Sequence, residues 1–386
     1  MIYLDNAATT QIDPEVLDAM MPYLTDQYGN AGTLYELGRN AKSAIDRARA
    51  QVAEFVGAAP EQIIFTSGGT EANNMVFFSL RDFLKKSKKT HIISAYNEHD
   101  SVFGAVRALC MKEDFYSTLL LPDSRGVIDP ANLHKSILDD TGLVSIMYMN
   151  NETGSENDVS EISRICSQKD ILFHTDCVQA AGSCVLNAKE IGCDFMSVSS
   201  HKIHGPKGVG ALFVKDAKYI APMIYGGSVQ EFGLRGGTEN VAGIVGFGKA
   251  CELMSKQIHE IDIHNSVLKQ LFYSNLKNEL SEYGLEDILH INGDTVVKHG
   301  KTINVRFDDV DGETLLVFLD ARGVCVSSGS ACNSHESTPS RVLLSMGIDP
   351  EDARNSIRVS FSKFNTEHEV MEAAEVVALC VRMLHI

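Results

Sequence analysis

Three residues carry the sharpest chemical signal in this chain: Asp176, Lys202 and Cys332. Asp176 closes the run Ile171-Leu-Phe-His-Thr-Asp176, an apolar strand that ends in a carboxylate. Lys202 follows Phe195-Met-Ser-Val-Ser-Ser-His201, so its amine also stands at the end of an apolar strand. Burial at such a place lowers an amine's pKa and makes it nucleophilic. The spacing from Asp176 to Lys202 suits one strand–crossover–strand unit, which sets the two groups on neighbouring strand ends. A carboxylate for a pyridinium nitrogen and an amine for an aldehyde are what pyridoxal phosphate requires. A structural Asp–Lys ion pair at a sheet edge fits the same two residues, and from these alone both readings stand.

Other strand ends add to the set. In Phe65-Thr-Ser-Gly-Gly-Thr-Glu-Ala-Asn-Asn74, Gly68 and Gly69 allow close backbone approach, and the helix after Thr70 aims its free N–H groups at the same spot. That is an anion cup, or simply a Gly-rich turn with a Ser or Thr cap. It lacks the lysine and the glycine spacing of the nucleotide-binding loops. His99, in Asn97-Glu-His-Asp-Ser101, and Asn151, in Asn150-Asn-Glu-Thr-Gly154, follow two further strands. Each alone reads as a structural histidine or a turn; their common position raises them. Cys332 lies in Val326-Ser-Ser-Gly-Ser-Ala-Cys-Asn-Ser-His-Glu-Ser-Thr338, nearly all small or polar residues that cannot pack as core. An exposed thiol there is available for reaction, the plainer alternative being an incidental surface cysteine. Cys110, Cys166, Cys251 and Cys380 fall in apolar helical patterns and Cys325 at the end of an apolar strand, and all five are expected to be buried.

The elements that must hold these groups read as an alternation. Strands are expected at Ile63–Thr66, Thr90–Ser94, Leu143–Met149, Ile171–Thr175, Phe195–Val198 and Gly210–Val214. Helices are expected over Ala41–Phe55, from Glu71, and over Val102–Met111 and Ser160–Ser167. Continuous apolar strands separated by helices argue a mostly parallel sheet covered on both faces, which binds ligands at its carboxyl edge. After a long helix from Val241 to about Asn278 the texture changes. Thr302–Phe307, Leu315–Leu319 and Ser356–Ser360 read as strands, with helices near Arg341 and over Glu367–Met383. The reading is a large α/β domain over 15–258 and a smaller α+β domain from 1–14 and 259–386.

Composition narrows the partners. The chain has 386 residues, enough for two packed units. Its 34 Lys and Arg stand against 51 Asp and Glu, a net charge of −17. So acidic a surface gains little from nucleic acid, and no direct binding to it is expected. No apolar run reaches the ~18 residues needed to span a bilayer, and Met1-Ile-Tyr-Leu-Asp5 does not read as a signal peptide. The nine cysteines form no Cys-x-x-Cys pair, so no metal site is expected. Reduced thiols in the cytoplasm are the default.

Taken in order, these segments resemble the NifS/IscS-type cysteine desulfurases, of the class V aminotransferase family and fold type I of the pyridoxal phosphate enzymes. The resemblance runs from Tyr3-Leu-Asp-Asn-Ala-Ala-Thr-Thr10 to Ser356-Ile-Arg-Val-Ser-Phe361. It implies an aspartate-aminotransferase-like fold with a mostly parallel seven-stranded sheet. Lys202 is then the Schiff-base lysine, Asp176 the partner of the pyridinium nitrogen, and Gln179 that of the phenolic oxygen, with Asn151 near that oxygen and the substrate. His99 stacks on the ring and shuttles protons; Gly69, Thr70, Ser199 and His201 hold the phosphate. Thr238, in Leu234-Arg-Gly-Gly-Thr-Glu-Asn240, reaches the phosphate of a partner subunit, which implies a homodimer. Arg358 clamps the substrate carboxylate, and Cys332 is the nucleophile that takes sulfur from L-cysteine, leaving L-alanine and passing the sulfur to an acceptor protein. That acceptor could serve iron–sulfur cluster assembly, tRNA thiolation or DNA phosphorothioation. The alternatives are another lyase or aminotransferase of this fold in which Cys332 is incidental, or a non-catalytic assembly protein. Four places depart from the family: Gly29-Asn-Ala-Gly-Thr-Leu-Tyr35, Cys177, Ser200 and Ser362. None removes a catalytic group.

Overall fold

The computed structural model describes residues 1–227, 229–294, 300–328 and 338–385. Cys332 lies outside the described residues. The chain opens on a short strand β1 (Ile2–Tyr3) and helices α1 (Pro14–Thr25) and α2 (Glu36–Phe55). Strands and helices then alternate as β2 (Ile63–Thr66), α3 (Gly69–Lys86), β3 (His91–Ala95), α4 (Asp100–Lys112), β4 (Tyr116–Leu120), α5 (Pro130–Ser136) and β5 (Thr141–Ser145). The series continues with α6 (Val159–Gln168), β6 (Leu172–Asp176), α7 (Ala188–Ile191), β7 (Phe195–Ser199) and β8 (Gly210–Val214). A long helix α8 (Val241–Glu282) leads to β9 (Leu289–Asn292), β10 (Thr302–Phe307), α9 (Gly312–Asp320) and β11 (Val324–Cys325). Helices α10 (Arg341–Ser345) and α11 (Pro350–Arg354), strand β12 (Ser356–Ser360) and helix α12 (Glu367–Leu384) complete the described chain.

Strands β2 to β8 form one seven-stranded sheet in the order β2-β8-β7-β6-β5-β3-β4. Only β8 runs against its neighbours; the other pairings are parallel. Alternate side chains serve opposite apolar layers, as the pleat requires. Phe65, Phe173, Met196 and Phe213 face one layer with α2 and α8, while Ile64, Phe195 and Leu212 face the other with α3 and α4. Helix α3 shows why the sequence folds this way: Ala72, Met75, Val76, Phe77, Leu80 and Leu84 recur at helical spacing and are all buried. Each large side chain so covered contributes about 1.5–3 kcal/mol.

A second core surrounds the antiparallel sheet β12-β10-β9 and the parallel pair β1-β11. Helix α8 joins the two, with Phe247 and Cys251 in the first core and Leu268, Phe272 and Leu276 in the second. The apolar run Leu315–Leu319, expected as a strand, is instead part of helix α9. Asp311 caps it by accepting from the Thr314 amide, and only Leu315 and Leu319, one turn apart, are fully covered, while Val317 is 68% exposed. The run was too short for its periodicity to tell helix from strand. Among the described residues no helix is long and apolar enough to cross a membrane.

Candidate active site

Strands β2, β3, β5, β6 and β7 all point their carboxyl ends to one side, and the predicted residues meet there. A cavity of about 320 Å3 is lined by Gly69, Thr70, His99, Asn151, Asp176, Gln179, Ser199, His201 and Lys202. Arg358 stands just beyond, its Nη1 donating to the Asn151 carbonyl at 3.1 Å. Thr238 is exposed and does not line this cavity.

Asp176 ends β6 with both oxygens engaged, Oδ2 accepting from Asn73 Nδ2 at 2.7 Å and Oδ1 from the Val178 amide at 2.9 Å. Lys202 lies in the short turn after β7, and its Nζ donates to the carbonyls of Ala7 and Ala8. Gln179 Nε2 donates to the same Ala7 carbonyl at 2.9 Å. His99 caps α4: its Nδ1 accepts from the Ser101 amide at 3.1 Å and meets Ser101 Oγ at 2.8 Å. Because a backbone N–H can only donate, a neutral His99 carries its proton on Nε2. Ser101 Oγ also accepts from Asn73, so one chain of hydrogen bonds links His99 to Asp176.

Burial sets the charges around this chain. His201 is lowered to about 4, first by burial and then by the cations Lys202, Lys301 and Lys207; its Nδ1 pairs with Thr9 Oγ1 at 3.1 Å. It is therefore neutral at physiological pH. Glu98, next to His99, is buried and its carboxyl is pushed well up; it accepts from the Met147 amide at 2.6 Å. Arg358 is held by Asp5 at 2.8 Å, and its Nε has no hydrogen-bond partner.

The pocket fits pyridoxal phosphate on its own features. Ser199 Oγ and Asn151 Oδ1 are buried without partners, in a site where polar groups are normally satisfied. Helix α3 starts at Gly69 with no side chain capping it, which leaves its first N–H groups for an anion. At Gly69 a Cβ would meet Val178 Cγ2 at 2.7 Å, so the glycine leaves the start of α3 open without displacing Val178. A carboxylate, Asp176, and an amine, Lys202, line the same cavity and would suit the ring nitrogen and the aldehyde of that cofactor.

Asn73, Ser101, Asp5, the Ala7 and Ala8 carbonyls and Lys301 were not singled out from sequence. Asn73 could have been, because it lies four residues after Gly69 and so one turn inside the same helix face. Two cysteine expectations need correction. Cys325 and Cys110 are half-buried: Cys325 lies on the two-residue strand β11, paired only with β1 among the described strands, and Cys110 is partly covered where α4 packs on its apolar layer. Cys166, Cys251 and Cys380 are buried.

Comparison with known proteins agrees with this geometry. Residues 2–372 match the aminotransferase class-V family. The chain is 40% identical to cysteine desulfurase IscS of Methanosarcina thermophila, over 99% of this chain and 92% of that one. A solved NifS-like protein superposes with a TM-score of 0.91 at 34% identity, covering 99% of this chain and 100% of that one. A structure described as SspA in complex with cysteine follows at 0.78 and 30% identity, covering 95% and 100%. The chain belongs to the class-V aminotransferase family and, within it, to the cysteine desulfurases.

Proposed function

We propose that this chain is a pyridoxal phosphate-dependent cysteine desulfurase that moves the sulfur of L-cysteine onto Cys332 and releases L-alanine. The observation that carries the reading is the meeting of the Lys202 amine, the Asp176 carboxylate, His99 and the uncapped start of α3 at one cavity. Bound there, the cofactor supplies an electron sink for the carbon next to the substrate's amine.

The protein's own groups do the rest. Asp176 would keep a proton on the ring nitrogen, and Gln179 and Asn151 would be the partners of the phenolic oxygen. Gly69, Thr70, Ser199 and His201 would hold the phosphate, with neutral His201 able to donate or accept. Arg358 grips the substrate carboxylate as a bidentate clamp, for which it must loosen its hold on Asp5. The Lys202 amine and His99 through Nε2 would carry protons to and from the substrate carbons. The Cys332 thiolate attacks the substrate sulfur: a sulfur–sulfur bond forms, the carbon–sulfur bond breaks, and the carbon takes a proton to complete alanine. The persulfide left on Cys332 is a carrier form of sulfur for an acceptor protein.

A homodimer with Thr238 of each copy at its partner's phosphate suits the exposed position of that residue. The eight described cysteines are free thiols, which suits the reducing cytoplasm. The test is mass analysis of the protein after one turnover with cysteine. One added sulfur on the peptide carrying Cys332, and no persulfide or sulfide from Cys332→Ala, is the expected result. Sulfur on Cys177 or Cys325, or undiminished sulfide release by Cys332→Ala, overturns the reading.

A further inference from the structure

After β8, residues 224–227 and 229–238 belong to a loop that folds back on itself. Gly226 and Gly236 approach so closely that a Cβ on either would lie 2.8 Å or less from the other's Cα. Two ion pairs fasten this loop to the large domain. Glu231 is buried, and its carboxylate accepts from Arg49 Nη1 and Nη2 of α2 at 2.8 and 2.7 Å and from the Phe65 amide of β2 at 2.7 Å. Arg49 also donates to the Ile63 carbonyl at 2.7 Å, and its guanidinium lies over the rings of Phe65 and Phe232. Arg235 donates to Glu71 of α3 at 2.9 Å, and Glu71 in turn accepts from the Ser67 amide. Glu231 and Phe232 stand at φ 42° and 58°, a left-handed conformation that a bulky side chain keeps only where its surroundings impose it.

These ties hold apolar and polar groups out into solvent: Tyr225 and Val229 are each 84% exposed, and Phe232 and Thr238 are exposed as well. An open notch beside them is lined by Ser67, Thr70, Asn74, Phe78 and Tyr225. Thr70 also lines the cofactor cavity, so the notch adjoins the start of α3, where the phosphate would sit. Loop and notch share Tyr225 and lie on one face. Two copies meeting on that face about a twofold axis would each offer a loop to the other's notch.

We propose that Arg49 and Glu231 are positioning residues: their buried pair fixes the loop in the shape that brings Thr238 to the notch of a second copy, so that each subunit completes its partner's phosphate site. The proposal rests on the homodimer reading given above. An apolar pair of the same size would bury as well without costing the desolvation of two charges. What the charged pair adds is direction, because two parallel hydrogen bonds from a guanidinium admit one orientation of the carboxylate. That carboxylate belongs to the residue at which the loop backbone turns left-handed.

The test uses hybrid dimers of two differently tagged full chains, purified through both tags and dialysed, with the visible band of the bound cofactor as the readout. The variant is Arg49→Met with Glu231→Gln, which removes both charges together and leaves no unpaired one buried. As a homodimer it should hold the cofactor roughly tenfold or more weakly, the worth of one hydrogen bond to a charged group. In a hybrid with Lys202→Ala, only the Arg49→Met/Glu231→Gln subunit can form the band, and the intact loop of the other copy completes its site. Retention there should return to the wild-type level. If the double variant melts far below wild type, Glu231→Gln alone, with Arg49 still held by the Ile63 carbonyl, goes through the same hybrids with the same expectation. Thr238→Ala, run beside it, separates the two readings. Rescue of Thr238→Ala without rescue of the pair variant overturns the proposal and leaves the homodimer reading intact, as does a variant homodimer that keeps the band like wild type. Rescue of neither overturns both.

Discussion

In the role proposed for it beside a pyridinium nitrogen, Asp176 must be held still, and Asn73 provides half of that hold. Its amide donates at 2.7 Å to the carboxylate and at 2.8 Å to Ser101 Oγ. A hydrogen bond to a charged group is worth about 1.5–3 kcal/mol. Asn73→Ala should therefore lower kcat roughly tenfold or more while the visible band of the bound cofactor remains; unchanged kcat would remove Asn73 from the network. Lys202→Ala should abolish both the band and alanine formation. Lys301, whose Nζ donates to the Lys202 carbonyl, does not line the cavity. Production of alanine by that variant would sink the assignment of Lys202. Asp176 and Lys202 were legible in the sequence because each ends an apolar strand in a group that no core would choose. Asp5 and Lys301 were not: their importance comes from contacts with Arg358 and Lys202, far off in the chain, and nothing local marks them.

At the scale of elements, the junction between α10 and the large sheet carries its own titration. Ser340 caps α10 and donates to Glu152 Oε2 at 2.5 Å, while Arg341 donates to the carbonyls of Tyr96 and Glu98 and pairs with Asp100. These contacts fasten the start of α10 to the turns that bear Asn151 and His99. Burial raises Glu152 from 4.5 to about 7, against the Ser340 hydrogen bond and the charges of Arg358 and Arg341. The folded protein then holds a proton that the unfolded chain has already lost, so stability falls as pH rises from about 4.5 to about 7 and is flat above. Glu152→Gln removes that loss. Thermal melts should show the variant gaining on wild type between about pH 5 and about pH 8, by at most about 3 kcal/mol. A difference between the two that does not change with pH would mean that Glu152 is not the titrating group. The order of the elements themselves was readable, because apolar strands and amphipathic helices alternate with clear turns. The failure at Leu315–Leu319 has a physical source: five apolar residues in a row satisfy both periods, and the deciding cap, Asp311, lies outside the run.

Across the whole molecule, the first residues tie the two cores to the pocket. Strand β1 pairs with β11, the Asn6 and Ala7 amides bond Ser360, the Ala7 and Ala8 carbonyls receive Lys202 and Gln179, and Thr9 and Thr10 engage His201. None of these residues belongs to the seven-stranded sheet. Sheet and pocket should therefore respond differently to their removal. A protein lacking residues 1–10 keeps the apolar layers on both faces of the large sheet, so its far-ultraviolet circular dichroism should stay close to that of wild type. It loses the oxygens that aim the Lys202 amine and the hydroxyl that orients His201, and it takes Ile2 and Leu4 out of the second core. The two hydrogen bonds that Lys202 Nζ donates to the Ala7 and Ala8 carbonyls, each worth on the order of 1 kcal/mol, then no longer fix it at the cavity. Cofactor retention should drop far more than secondary structure. The check is visible absorbance after dialysis, read beside circular dichroism on the same sample. Wild-type retention in the truncated protein would show that the carbonyls of Ala7 and Ala8 do not aim Lys202. Loss of both signals together would show instead that the two cores depend on this segment to fold.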